Sequence, residues 1–131
     1  MSETETIVRV LRERLDGLLG VYRFGSTGAE RRPDSDVDVA VLTERPVEPV
    51  RLFAVAQKLA AALGRDVDLL DLCAASTVMA AQVMARGERL YCTDAGRCGA
   101  FEARALSAYA LLNEERAGIL QDIAARGTVH G

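Results

Sequence analysis

The segment DSDVDVAVL, residues 34–42, constrains this chain more than any other. Val37, Val39 and Val41 alternate, which is the β-branched, period-two texture of a half-buried strand. Asp36 and Asp38 then share the opposite face with Ala40 and Leu42, because side chains two apart on a strand point the same way. Their α-carbons are spaced roughly 6.5 to 7 Å. At that distance and an effective dielectric near 20, two carboxylates repel by about 2 kcal/mol. Water offsets this if the strand end simply lies at the surface. A divalent cation offsets it if the strand end is a site.

The surrounding pattern places this strand among helices. Ile7, Val8, Leu11, Leu15, Leu18 and Leu19 recur at helical spacing over residues 4–19, with Gly20 as a stop. A short strand VYRF, residues 21–24, runs into a polar loop from Gly25 to Ser35, and the acidic strand covers 36–42. Leu52, Val55, Leu59 and Leu63 mark a second helix ending at Gly64, and DVDLLDL, residues 66–72, alternates as a third strand. A third helix over 75–86, a strand in GERLYC, a hinge from Thr93 to Gly99 and a final helical stripe through Phe101, Ala105, Ala108, Leu112, Ile119 and Ile123 complete the reading. The last helix either caps the core or presents a surface to a partner. The expected class is α/β (α+β): a small mixed sheet flanked by helices, with a C-terminal helix. Length suits one domain, with residues 1–98 as its core and 99–131 as its helix and tail.

Composition removes several functions. A net charge of -3 offers no broad basic surface, so direct nucleic-acid binding is not expected and any phosphate binding must be local. No apolar run reaches the roughly 18 to 20 residues of a membrane span, and MSETETIV lacks a signal peptide's basic-then-apolar order, which reads as cytoplasmic. Cys73, Cys92 and Cys98 are odd in number and lack CxxC spacing, so neither a disulfide framework nor a zinc knuckle is expected and they are read as buried or incidental thiols. The single histidine, His130, lies in the tail, which leaves no histidine base.

What remains is a constellation of turn and acids. Gly25 and Ser26 follow a strand, where backbone N–H groups and a hydroxyl can meet an anion and glycine lets the backbone approach it. Asp36 and Asp38 head the next strand, and Asp68 comes from the third. Asp66 shares Asp68's face, and a one-residue register change selects Asp71 instead. If these strands are neighbours, three carboxylates converge beside a phosphate-binding turn. Mg²⁺ suits such a set, being held by one or two carboxylates together with substrate phosphates. Two ions can clamp both oxygens of a phosphoryl displacement. A calcium loop starting at Asp34 fails at Val39 and Arg45, and neither GxxxxGK[ST] nor GxGxxG occurs.

GS, nine intervening residues and DVD, followed by DVDLLDL, resemble the nucleotidyltransferase superfamily of DNA polymerase β type. RPDSDVDVAVL looks like the minimal nucleotidyltransferases, and VDLLDL, GERLYC and FEARALSAYALL are similar to the MntA antitoxins of type VII toxin–antitoxin pairs. The resemblance implies a nucleotidyltransferase fold and transfer of AMP from ATP to a tyrosine of a HEPN-domain (HepT-like) ribonuclease toxin. It further implies that Gly25 and Ser26 bind the triphosphate, that Asp36 and Asp38 ligate both Mg²⁺ ions, and that Asp68 ligates the catalytic one and favours deprotonation of the acceptor. Two other readings stand beside it: nucleotide transfer to a small-molecule hydroxyl, and a non-catalytic module that neutralises a partner by binding.

Overall fold

The computed structural model describes residues 2–25 and 36–125, with side chains through 122. Ser26, Arg31, Arg32 and His130 lie outside the described residues. Along the chain come α1 (Glu3–Arg14), β1 (Leu18–Phe24), β2 (Val37–Thr43), α2 (Pro49–Leu63), β3 (Val67–Asp71), α3 (Thr77–Arg86), β4 (Glu88–Cys92) and α4 (Ala95–Ala125).

The strands form one sheet in the order β3-β2-β1-β4, with β2 parallel to β3 and the other pairs antiparallel. A parallel pair needs a crossover, and α2 supplies it. β2 is more deeply buried than an alternating strand with one wet face, because helices cover both sides of the sheet. Val37, Val39 and Val41 join Ile7, Leu11, Val55 and Leu59 of α1 and α2 on one face. Ala40 and Leu42 pack with Tyr22, Leu72, Val83, Cys98 and Ala105 on the other. Burying roughly 1.5–3 kcal/mol per large aliphatic side chain on each face fixes the register, because a one-residue slip would reverse both layers.

Two segments differ from the pattern-based expectation. Leu18 and Leu19 continue the helical spacing but belong to β1. Leu15 caps α1, and the chain reverses at Asp16 and Gly17, where φ is +68°. Sheet bonds then take over: Glu44 N–H donates to the Gly17 carbonyl at 2.9 Å and Thr93 N–H to that of Leu19 at 2.8 Å. The expected hinge between Thr93 and Gly99 is mostly helix. The Asp94 carboxylate accepts from Arg97 N–H at 3.2 Å and its carbonyl from Cys98 N–H at 3.0 Å, so a capped first turn outweighs the propensity cost of Gly96 and Gly99. α4 caps the core at its base and is exposed beyond it. Phe101 and Ala105 close the core, while Leu111, Ile119 and Leu120 further along are exposed.

Candidate active site

The site grows from one row across the sheet. Phe24 pairs with Asp38 between β1 and β2, and Asp38 pairs with Asp68 between β2 and β3. Paired residues point to the same face, so Asp38 and Asp68 stand side by side on the face covered by α3 and α4. The first parallel rung, Val37 N–H to the Asp66 carbonyl at 2.9 Å, sets this register. Asp36 immediately precedes β2.

Electrostatics record the convergence. Burial pushes the Asp38 carboxyl above its ordinary value, Asp68 and Asp36 push it further, and Arg23 partly opposes them. Of the alternatives raised by the alternating acids, Asp66 precedes β3 and engages the ladder through its backbone. The Asp71 carboxylate is buried and already used: Oδ2 accepts from Val47 N–H at 2.8 Å and Oδ1 from Cys73 N–H at 2.9 Å.

Gly25 closes the other side. Its φ is +83°, a region that side chains rarely adopt, and a Cβ there would collide with Asp38 Oδ2 and lie 3.1 Å from its Cγ. Gly25, which follows β1, is thus stacked against Asp38 near the start of β2. Ser26, the other half of the expected phosphate-binding pair, lies outside the described residues.

Arg23 alternates with Tyr22 and Phe24 along β1. The side chain lies beneath the site on the α1/α2 face, beside Val21, and is buried. Its Nη1 donates to Glu3 Oε1 at 2.7 Å, and Arg65 Nη1 donates to Glu3 Oε2 at 2.6 Å. Glu3 therefore joins the end of β1 to the approach of β3. Parity with Val21 is the signal that could have placed Arg23, whereas nothing in the sequence pairs Glu3 with either arginine.

Among the described residues no group of three or more His, Cys, Asp or Glu side chains is arranged to hold a metal ion unaided. The residue types nonetheless suit Mg²⁺: carboxylates are all-oxygen donors, Asp68 and Asp36 both push the Asp38 carboxyl up, and this ion commonly completes its shell with substrate phosphates and water.

The family model for polymerase β nucleotidyltransferases matches residues 5–96. The chain belongs to this family. Among curated proteins, this nucleotidyltransferase is 39% identical to the protein adenylyltransferase MntA of Shewanella oneidensis over 121 residues, covering 91% of this chain and 86% of that one. Among solved structures it resembles a toxin–antitoxin with AMP-PNP, with TM-score 0.81, 37% identity and coverage of 92% and 98% of the two chains. It also resembles a chain from the tri-AMPylated Shewanella oneidensis HEPN toxin in complex with MNT antitoxin, with TM-score 0.78, 35% identity and coverage of 93% and 96%. These likenesses agree with the fold expected from the sequence. Among the described residues no helix is long and apolar enough to cross a membrane.

Proposed function

We propose that this chain is a Mg²⁺-dependent protein adenylyltransferase that transfers AMP from ATP to a tyrosine of a HEPN-domain toxin and so acts as its antitoxin. The observation that carries the reading is the row of Asp38 and Asp68 on parallel neighbours, with Gly25 stacked on Asp38. The MntA relative and the AMPylated-toxin complex supply the substrate class and partner.

The reading gives each residue a role. The turn at Gly25 and Ser26 receives the triphosphate, where backbone N–H groups can approach its oxygens. Asp36 and Asp38 would hold the two Mg²⁺ ions, and Asp68 would join them at one. When bound, the ions neutralise charge on the phosphates and on the attacking and leaving oxygens. Asp68, on the flank of Asp38, faces the acceptor hydroxyl and favours loss of its proton. The tyrosine oxygen then bonds to the α-phosphorus, the bond from that phosphorus to the bridging oxygen breaks, and pyrophosphate departs. Arg23 lies behind the acids and limits their repulsion without meeting the nucleotide. In this reading residues 1–98 form the nucleotidyltransferase core and 99–131 the C-terminal helix and tail of the same domain.

Co-expression with a HEPN-domain partner tests the reading by mass spectrometry of that partner. Wild type should leave AMP on a tyrosine, and Asp36→Asn should leave the partner unmodified. A partner that is fully inhibited yet carries no AMP would replace this reading with neutralisation by binding alone.

A further inference from the structure

Away from the acids, β4 and α4 bring two thiols together. Cys92 ends β4, Cys98 stands in the first turn of α4, and their Sγ atoms are 2.7 Å apart. Both are free. A disulfide bond measures about 2.05 Å between sulfurs, so only a small adjustment separates this pair from a covalent link. The backbone on either side is held: Thr93 N–H donates to Leu19 at 2.8 Å and Cys98 N–H to Asp94 at 3.0 Å.

The two thiols differ in exposure and surroundings. Cys92 is partly exposed. Burial raises its thiol, but hydrogen bonds with Cys98, the Arg89 guanidinium and the Asp94 backbone outweigh this and leave it below the ordinary cysteine value. Cys98 is buried, with its Sγ 3.4 Å from the Leu19 carbonyl and close to Gly20. Burial and the neighbouring Cys92 raise its thiol to about 11. An accessible thiol that ionises more readily than its buried partner is the arrangement of an attacking and a resolving cysteine.

We propose that Cys92 and Cys98 form a peroxide-responsive dithiol that closes reversibly into a disulfide between β4 and the base of α4. The Cys92 thiolate attacks one oxygen of hydrogen peroxide. The O–O bond breaks, hydroxide leaves and is protonated to water, and Cys92 becomes a sulfenic acid. The Cys98 sulfur then attacks the Cys92 sulfur, the S–O bond breaks, and the departing hydroxide takes the Cys98 proton as a second water. Two thiols give up two electrons and two protons to one peroxide. A small thiol reductant restores the pair by exchange. The link fastens to the sheet edge the base of a helix whose distal half exposes Leu111, Ile119 and Leu120.

Trypsin cleaves after Arg89, Arg97 and Arg104 and so separates the two cysteines onto peptides 90–97 and 98–104. Reduced protein treated with hydrogen peroxide, quenched with an alkylating agent and digested without reductant should yield these two peptides joined, and dithiothreitol should separate them. Cys73, exposed and distant in sequence, serves as the internal control. In Cys98→Ser, dimedone should trap a sulfenic acid at Cys92. In Cys92→Ser, oxidation of Cys98 should slow by roughly tenfold or more, as befits a buried thiol without a thiolate neighbour. The proposal fails if both cysteines stay alkylatable at peroxide levels that oxidise Cys73, or if Cys98 oxidises equally fast without Cys92.

Discussion

Gly25 and Asp38 are in direct van der Waals apposition: the space a Cβ would need at residue 25 is filled by the Asp38 carboxylate, and the glycine holds φ at +83°. The glycine that follows β1 and the acid near the start of β2 are therefore one packed unit. Gly25→Ala should cost about 1–2 kcal/mol from backbone strain alone, with a further loss as Asp38 is displaced. Denaturant unfolding measures the first effect. AMP transfer should drop by more than the stability loss explains, and a stable variant with wild-type transfer would separate the turn from the site.

Charge removal at the acids should have the opposite effect on stability. The folded-state pKa of Asp38 lies above its ordinary 3.8, through burial and then Asp68 and Asp36. Between those values the folded state binds more protons than the unfolded chain, so this contribution to stability falls as pH rises through the window and is fully lost above it. Asp36→Asn/Asp38→Asn should lack that decline and melt at or above wild type near neutral pH. Mg²⁺ with a non-hydrolysable ATP analogue should raise the wild-type melting temperature and leave the double variant nearly unchanged. Equal ligand responses in the two proteins would refute the site.

Asp68 and Asp71 should separate function from folding. Asp71→Ala leaves the N–H groups of Val47 and Cys73 without their carboxylate partner, at a cost of about 2–4 kcal/mol. Asp68→Asn touches an exposed side chain and relieves part of the charge repulsion on Asp38, so it should melt at or slightly above wild type while abolishing transfer. Activity retained by Asp68→Asn would move the third acidic role elsewhere.

Glu3 should matter more than a helix-end residue ordinarily does. Burial raises its carboxyl, but hydrogen bonds from Arg65 and Arg23 outweigh this and bring it below its ordinary 4.5. Its stabilisation is therefore complete above 4.5 and disappears as pH falls through the lowered folded value. Glu3→Gln leaves the buried Arg23 guanidinium without its carboxylate and should cost about 1–3 kcal/mol, the partial exposure of Glu3 keeping it below a fully buried pair. Urea unfolding of wild type and variant at neutral and acid pH checks this: the difference should shrink in acid.

The alternation of β2 and β3, the acids that share each strand's face and the amphipathic helix between them were all legible in the sequence. These are periodicities and short-range spacings, and a strand's two-residue repeat assigns faces without any knowledge of its neighbours. Leu18 and Leu19 show the limit. Their spacing suits a helix as well as a strand, and bonds from Glu44 and Thr93, far along the chain, decided for the strand. The same holds for Asp66, Asp68 and Asp71, which alternate almost interchangeably in DVDLLDL. Only parallel pairing puts Asp68 beside Asp38 and leaves Asp71 to bind backbone at Val47 and Cys73. Arg23 with Glu3, and Cys92 with Cys98, likewise meet only once separate elements pack, since the partners of a buried charge or thiol are set by register and crossover, which no local pattern encodes.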